Sequence, residues 1–204
     1  MARLLAWYSG HLAAAPARTK MLTGFTIFGS SDPAAQYVEH AILAEAGGGS
    51  GFAWDARRTA RQAAFGCGIS FVLHRWWAFL DPAVNRILPV ATAGKWGNTL
   101  PKVFFDQALG ATFFNLAFFS SSTMMEGKSP AEAWARARTH VPKQLTEYHW
   151  RFWPLVHTVN FGFVPLQFRV LVQNTFMIPW SGFLSVQGQR AKRQQEADAD
   201  GPAE

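Results

Sequence analysis

The stretch HWRFWPLVHTVNFGFVPLQFR, residues 149–169, places polar side chains and two prolines inside an otherwise strongly apolar segment. The apolar character continues from Trp153 to Val186, longer than the roughly 20 residues that a membrane-spanning helix needs. Four polar residues recur here at seven-residue spacing, with a histidine one turn before the first: His157, Asn160, Gln167, Asn174 and Ser181. Seven residues are almost two helical turns, so these side chains share one side of a helix. A polar stripe is costly against lipid, and the sequence predicts that it faces the interior of a helix bundle as a pore lining or a closed polar seam, with a kink at Pro165.

Three further stretches are long enough to cross a bilayer as helices, although none is cleanly apolar: residues 17–43, which Asp32-Pro33 interrupts, 57–80 and 100–125. Together with the first segment they predict an all-α fold, a bundle of four transmembrane helices. The second stretch carries Ala60, Ala64 and Gly68 at four-residue spacing, and small residues in such a row let two membrane helices approach closely.

An amphipathic helix is predicted between the third and fourth helices. Ser129, Pro130 and Glu132 form a helix-start signature, with Ser as the cap and Glu reaching back three residues later. An apolar stripe follows at three- and four-residue steps: Trp134, Ala137, Val141, Leu145 and Tyr148. This pattern is typical of a helix lying in the membrane interface, bent at Pro142, and equally of a surface helix on a soluble core.

The composition favours lipid as the main partner. Aromatic residues make up 15% of the 204 residues and charged residues 16%, against about 25% charged in a typical soluble domain. The net charge of +6 is spread along the chain, which indicates a membrane interface and no nucleic-acid partner. The alternative is a soluble helical protein with an aromatic core.

The sequence contains no signature of an enzyme, a cofactor site or a metal site. It has no phosphate-binding glycine loop or dinucleotide fingerprint, and no histidines spaced as metal ligands on a helix. Cys67 is the one cysteine, so no intrachain disulfide can form.

The most informative ionisable residues inside the predicted membrane helices are Asp32, His74, Asp106 and Arg169. An ionised side chain deep in lipid costs at least ~2.5–3.5 kcal/mol, so each is expected to find a partner or a wet cavity. We expect Asp106 to pair with Arg169, with Asp32 as the competing carboxylate. These charges either tie helices together or gate a polar route.

The two ends of the chain differ from the body. The first 31 residues contain no Asp or Glu and start with apolar residues at helical spacing, a pattern compatible with a mitochondrial presequence. The polar, charged residues 189–204 are predicted to be a disordered tail, which leaves 1–188 as one membrane domain.

The C-terminal motif resembles the Mpv17/PMP22 family of small membrane proteins. The residues that carry the resemblance are Trp150, Trp153, Pro154, Asn160, Phe161, Val164, Pro165, Arg169 and Trp180, followed by Leu184-Ser185. Supporting matches are Tyr8, Leu12, Pro16, Thr19, Gly24, Asp32, Gln36, Arg58, Arg61, Gly66, His74, Trp76, Lys102, Asp106 and Gln107. The similarity covers about residues 4 to 187.

The resemblance implies a four-helix integral protein of the mitochondrial inner membrane or, alternatively, of the peroxisomal membrane. Family members are associated with pore activity and control of membrane potential. Two functions fit this expectation. One is a channel or solute-permeation pathway that modulates membrane potential and metabolite homeostasis. The other is a structural accessory subunit or interaction protein of a larger inner-membrane complex. The topology, the solute and the choice between a homo-oligomer and a larger complex stay open.

Overall fold

The computed structural model describes residues 2–45 and 51–199, and within these ranges the regular structure is helical throughout, which confirms the all-α prediction. A short helix precedes five long helical rods. The helices are α1 (Ala2–Ala14), α2 (Pro16–Glu45), α3 (Ala56–Ile87), α4 (Val90–Phe105), α5 (Ala111–Met125), α6 (Pro130–Lys143), α7 (Trp150–Phe163) and α8 (Arg169–Ala199).

Two of the long rods contain a π-helical turn. One, Asp106–Gly110, joins α4 to α5, and the other, Gln144–His149, joins α6 to α7. A π turn inserts one extra residue into a helix and is frequent at functional sites. Each turn buries part of its residues, Asp106, Gln107 and Gly110 in the first and Leu145 and His149 in the second. Asp106 and Gln107 are both buried although they are adjacent in sequence.

The closest helix pair is α2 with α3, and the contact is not the one predicted. Ala60, Ala64 and Gly68 are exposed, and a methyl group on Gly68 would meet nothing within 4 Å. The opposite side of α3 makes the contact: a Cβ on Gly66 would lie 2.6 Å from the Gly24 carbonyl oxygen. A small residue on α3 does allow the close approach, but it lies on a different side of the helix from the predicted row. Residue spacing alone does not say which side of a helix meets its neighbour.

The start of α6 is confirmed. The Ser129 side chain accepts from the Glu132 amide and the Glu132 carboxylate accepts from the Ser129 amide, which is a complete capping box. Ala137, Val141 and Leu145 are buried against α5, in the cluster that also holds Ala111. Trp134, predicted to share that stripe, is 58% exposed, and Ala133 takes the buried position. The placement of α6 in a membrane interface stays a prediction.

The predicted fourth helix is wrong as a single element. Residues 164–168 leave the helix, so α7 ends at Phe163 and α8 begins at Arg169. Two side chains hold this break. The Asn160 amide donates to the Arg169 carbonyl (3.2 Å), and the Arg169 Nε donates to the Val164 carbonyl (3.0 Å). Pro165 therefore lies in a tight turn between two helices and does not kink one.

The outside of the bundle is rich in exposed aromatic and aliphatic side chains, among them Phe25, Phe79, Phe104, Leu109, Phe113, Leu155, Phe163 and Ile178. In the part of the chain that the structure describes, one helical rod, Val90–Met125, is apolar and long enough to cross a membrane by length and composition. The four-span arrangement of the remaining stretches stays a prediction.

The domain limits, 1–188 and 189–204, also stay a prediction. The structure continues α8 to Ala199, and residues 200–204 lie outside the described residues, as do the side chains beyond Gln187.

Candidate functional site

A cavity of about 110 Å³ lies in the middle of the bundle, with residues from α2, α3, α5, α7, α8 and both π turns in its wall. Most of the wall is apolar, with Phe28, Phe65 and Phe118 as examples. A polar set enters from three directions: Asp106, Gln107, Asn115, His149, His157, Gln173 and Asn174. An apolar chamber with a few convergent polar groups is the usual form of a small-molecule site.

Asp106 is the central charged group of the cavity. It is 1% exposed and sits on the first π turn. Trp76 and Trp77, adjacent on α3, donate their indole N–H groups to the same Asp106 Oδ1 at 2.8 and 2.7 Å. The His157 Nδ1 lies 3.5 Å from Oδ2, too long for a strong hydrogen bond. Among the described residues no Lys or Arg forms an ion pair with Asp106.

Six buried polar atoms on cavity-lining residues have no hydrogen-bond partner among the described residues: Gln107 Oε1, His149 Nε2, Trp153 Nε1, His157 Nδ1, Gln173 Oε1 and Asn174 Oδ1. A buried polar group without a partner costs roughly 1–3 kcal/mol. Seven such atoms occur among the described residues, and six of them belong to residues around this one cavity. This concentration in one chamber indicates a site that hydrogen-bonds a small guest molecule or water.

Beyond the cavity toward one end lies a paired cluster, here called the Arg58 end. Arg58 donates to Asp32 (2.9 Å) and makes a two-pronged contact with Glu39 (2.7 and 2.8 Å). Gln36 and Thr59 complete the bonds to Asp32 at 2.6 and 2.7 Å. The predicted intramembrane charge Asp32 thus has a partner on α3.

The opposite cluster, here called the Arg169 end, corrects the expected Asp106–Arg169 pair. Arg169 Nη1 and Lys102 Nζ both bind Asp81 Oδ1, each at 2.8 Å. The ring of Phe161 lies 5.0 Å from the guanidinium carbon. Arg169 starts α8 beside the end of α3, whereas Asp106 is one helical turn further into the bundle than Lys102. His74 is the remaining predicted charge. The Lys20 Nζ lies 3.1 Å from its Nδ1.

The predicted polar stripe is only partly brought together. His157, Asn160 and Asn174 are buried, and Asn174 donates to Ser70 Oγ on α3 at 3.0 Å. Gln167 is exposed in the turn after α7. Ser181 is half-buried and donates to its own helix at Ile178 O. The seven-residue spacing loses its meaning at residues 164–168, where the helix on which it depends is interrupted.

Three residues of the C-terminal motif line this chamber, Trp153, Trp180 and Leu184, and the others lie outside its wall. Trp153 and Trp180 pack edge to face at 5.5 Å, and Phe161 packs on Trp77 at 5.8 Å. Pro154 lies inside α7, while Val164 and Pro165 form the turn. Trp150 is exposed on the outer surface.

Sequence reasoning missed Asp81, Lys20 and the polar cavity residues His149 and Gln173. Asp81 directly follows the predicted stretch 57–80, so its partial burial is not predicted from that pattern. One signal was present: Lys102 and Asp106 are four residues apart and so share a helix face, which indicates a charged layer next to Asp106. His149 and Gln173 were hidden because their faces depend on the second π turn and on the α7–α8 break, and Lys20 because residue spacing does not say which helix lies opposite.

An all-helical membrane protein with an apolar exterior and a few buried polar clusters is the class that this fold and site define. The family model for the Mpv17 / PMP22 family matches residues 123–185. Protein SYM1 of Gibberella zeae is 34% identical over 187 residues, which are 91% of this chain and 97% of that protein. Protein SYM1 of Saccharomyces cerevisiae is 31% identical over 90% of this chain and 89% of its own length. PXMP2/4 family protein 3 of Dictyostelium discoideum is 29% identical, with 88% of each chain covered.

The chain belongs to the Mpv17/PMP22 family. No solved structure matches it.

Proposed function

We propose that this protein is a mitochondrial inner-membrane protein that conducts small solutes through the central cavity and so modulates membrane potential and metabolite homeostasis. The observation that carries the proposal is the set of six unpartnered polar atoms around the 110 Å³ chamber. In a bundle that only needed cohesion, these positions would be paired or apolar, because an unpaired polar group is costly away from water.

The order of polar layers along the bundle supports a route through it. On α3, the cavity-lining residues Ile69 and Leu73 lie between Arg58 at one end and Asp81 at the other. A solute would meet a charged cluster, the chamber and a second charged cluster in turn. Both clusters are held by ion pairs in this structure, which makes them candidates for the two gates.

The organelle is proposed from the N-terminus and from the family. The first 31 residues lack Asp and Glu, as mitochondrial presequences do. The peroxisomal membrane is the alternative that the family offers. Fractionation of cells that express the tagged full-length chain distinguishes the two.

Planar bilayers test the permeation proposal. Purified protein is expected to give conductance, and Asp106→Asn is expected to change its amplitude or ion preference because it removes the one carboxylate of the chamber. Glu147→Gln is the matched control, since it makes the same chemical change on the other π turn at a side chain that is 46% exposed.

The proposal is contradicted if correctly folded protein gives no conductance. It is also contradicted if Asp106→Asn and Glu147→Gln give identical currents.

One observation favours a second candidate, an accessory subunit of a larger inner-membrane complex. The surface exposes many aromatic side chains, such as Trp96, Phe104 and Trp150, which suit contacts with neighbouring proteins as well as with lipid. Co-migration with a large assembly on a native gel supports this role. Migration as a homo-oligomer indicates that the aromatic surface binds other copies of the chain. Migration as a monomer argues against both kinds of assembly.

A further inference from the structure

The Arg169 end contains more buried positive charge than its one carboxylate can balance. Lys20, Lys102 and Arg169 are 3%, 5% and 6% exposed. Among the described residues, Asp81 is the one acidic side chain that pairs with any of them, and a single oxygen, Oδ1, binds both Lys102 and Arg169. With His74 neutral, three cations and one anion leave an excess of two positive charges.

Lys20 is the least compensated member of this cluster. Its ammonium contacts the His74 ring nitrogen at 3.1 Å, and no carboxylate lies within ion-pair distance of it in the described part of the chain. Tyr8 connects the two cations, because it contacts Thr23, one turn from Lys20, and Phe168, the neighbour of Arg169. Both cations thus lie in one neighbourhood and repel each other, which is costly for groups withdrawn from water.

The surrounding half of the bundle strengthens the imbalance. Parts of residues 3–31, 72–105 and 157–169 meet there, as the Lys20–His74, Asp81–Arg169 and Tyr8–Phe168 contacts show. These segments contain eight Lys and Arg, and Asp81 is their one acidic residue: Arg3, Arg18, Lys20, Arg75, Arg86, Lys95, Lys102 and Arg169. A surface of one sign attracts ions of the other sign and raises their local concentration.

Helix α1 lies over this cluster. The Tyr8 hydroxyl is 3.1 Å from Thr23 Oγ1, one turn beyond Lys20 on α2, and the Tyr8 ring stacks on Phe168, the neighbour of Arg169. Leu12 is buried in the same contact region. The cluster is therefore sheltered from bulk water by a short element, and a bound anion would be held in a partly dry environment where charge-assisted hydrogen bonds are strong.

We infer that the Arg169 end is an anion site for a phosphate group, held by Lys20, Lys102 and Arg169. A free phosphate or a phosphate monoester carries a charge of about −1.5 to −2 near neutral pH, which offsets most of the excess of two, whereas the phosphodiester of a lipid headgroup carries about −1 and offsets half of it. The guanidinium fork suits tetrahedral oxyanions, and lysine binds them as a point charge. The group belongs either to a free solute or to the headgroup of an anionic lipid. The inference concerns binding and does not depend on permeation through the cavity.

The test measures binding without conductance, so the two proposals fail separately. Full-length protein is placed in nanodiscs of zwitterionic phosphatidylcholine, and inorganic phosphate is titrated at constant ionic strength while the thermal unfolding midpoint is followed. We expect saturable stabilisation by phosphate, weakened about tenfold or more in Lys20→Gln, because one charge-assisted hydrogen bond is lost. Lys20→Arg retains binding.

Arg18→Gln is the matched control, since it removes the same charge from the same helix at an exposed position. Without phosphate, Lys20→Gln should unfold no earlier than the unaltered protein, because it relieves the repulsion with Arg169. This comparison separates lost binding from misfolding.

A second arm uses nanodiscs that contain phosphatidylglycerol. Stabilisation by this lipid that depends on Lys20, without an effect of free phosphate, identifies the occupant as a lipid headgroup. Stabilisation by free phosphate in phosphatidylcholine identifies a soluble anion. The inference is overturned if neither anion stabilises the protein, or if Arg18→Gln weakens binding as much as Lys20→Gln does.

Discussion

Asp81 holds two buried cations in place, although its position directly after an apolar stretch does not suggest such a role. One of its oxygens binds Lys102 and Arg169, and through Arg169 it is connected to the turn that separates α7 from α8. Removing one partner of a buried ion pair leaves an uncompensated charge, which is more damaging than removing both.

Asp81→Asn is therefore expected to lower the free energy of unfolding by about 3–5 kcal/mol, because it strands two buried cations. Glu147→Gln removes an exposed carboxylate whose nearest cation, Lys143, is 4.0 Å away, and it should stay within about 0.5 kcal/mol. Unfolding of both variants by increasing mole fraction of SDS in mixed micelles provides the comparison. Equal stability of the two would mean that Asp81 does not hold the cluster.

The sequence predicted which charged residues need a buried partner better than it predicted which residue each one pairs with. Asp32, His74, Asp106 and Arg169 were all predicted to need a partner, and each has one or more polar contacts. The Asp106–Arg169 pairing was wrong because residue spacing fixes direction around one helix only. Which helix lies opposite, and at what height, follows from packing.

Among the elements, the α2–α3 contact depends on glycine at two facing positions. Gly24 and Gly66 bring the two backbones so close that a Cβ on Gly66 would meet both the Gly24 carbonyl and Phe28, each at 2.6 Å. A backbone atom cannot move aside as a flexible side chain can, so the added methyl must push the helices apart.

Gly66→Ala should lower the free energy of unfolding by about 1–3 kcal/mol through overpacking. Gly68→Ala, two residues away on the open side of α3, should be neutral or stabilising by about 0.5–1 kcal/mol because alanine favours helix. The SDS unfolding assay measures both. If Gly66→Ala keeps its stability and Gly68→Ala loses it, the helix contact is on the predicted face of Ala60, Ala64 and Gly68 instead.

The elements that follow local rules were the ones the sequence predicted well. The capping box at Ser129 and Glu132 and the continuous rod that includes residues 100–125 depend on neighbours within one or two turns. The break at residues 164–168 was predicted only as a kink. Pro165 is compatible with either, and two side-chain bonds to the backbone, from Asn160 and Arg169, stabilise the turn.

Across the whole molecule, apolar patterning predicted the helical class and the inward turn of polar residues, and it could not predict the cavity. The chamber arises where two π turns bring Gln107 and His149 to face α8, and no spacing rule announces a π turn. The four membrane stretches and the amphipathic helix predicted five long helices, and the described residues form five long rods, but the boundaries differ. Helices α6 and α7 are continuous through the second π turn, whereas α7 and α8 are separated by a turn.

Cysteine accessibility tests the central claim, a polar chamber inside a lipid-facing bundle, most directly. Cys67 is the one native cysteine, so a Cys67→Ala background allows single cysteines at Gln107 and Asn174, which line the cavity, and at Leu109 and Phe176, which are exposed on the outside. In membranes, the account predicts that a small charged methanethiosulfonate reagent modifies Gln107→Cys and Asn174→Cys and leaves Leu109→Cys and Phe176→Cys unmodified. Modification of the outer pair with protection of the inner pair would contradict it.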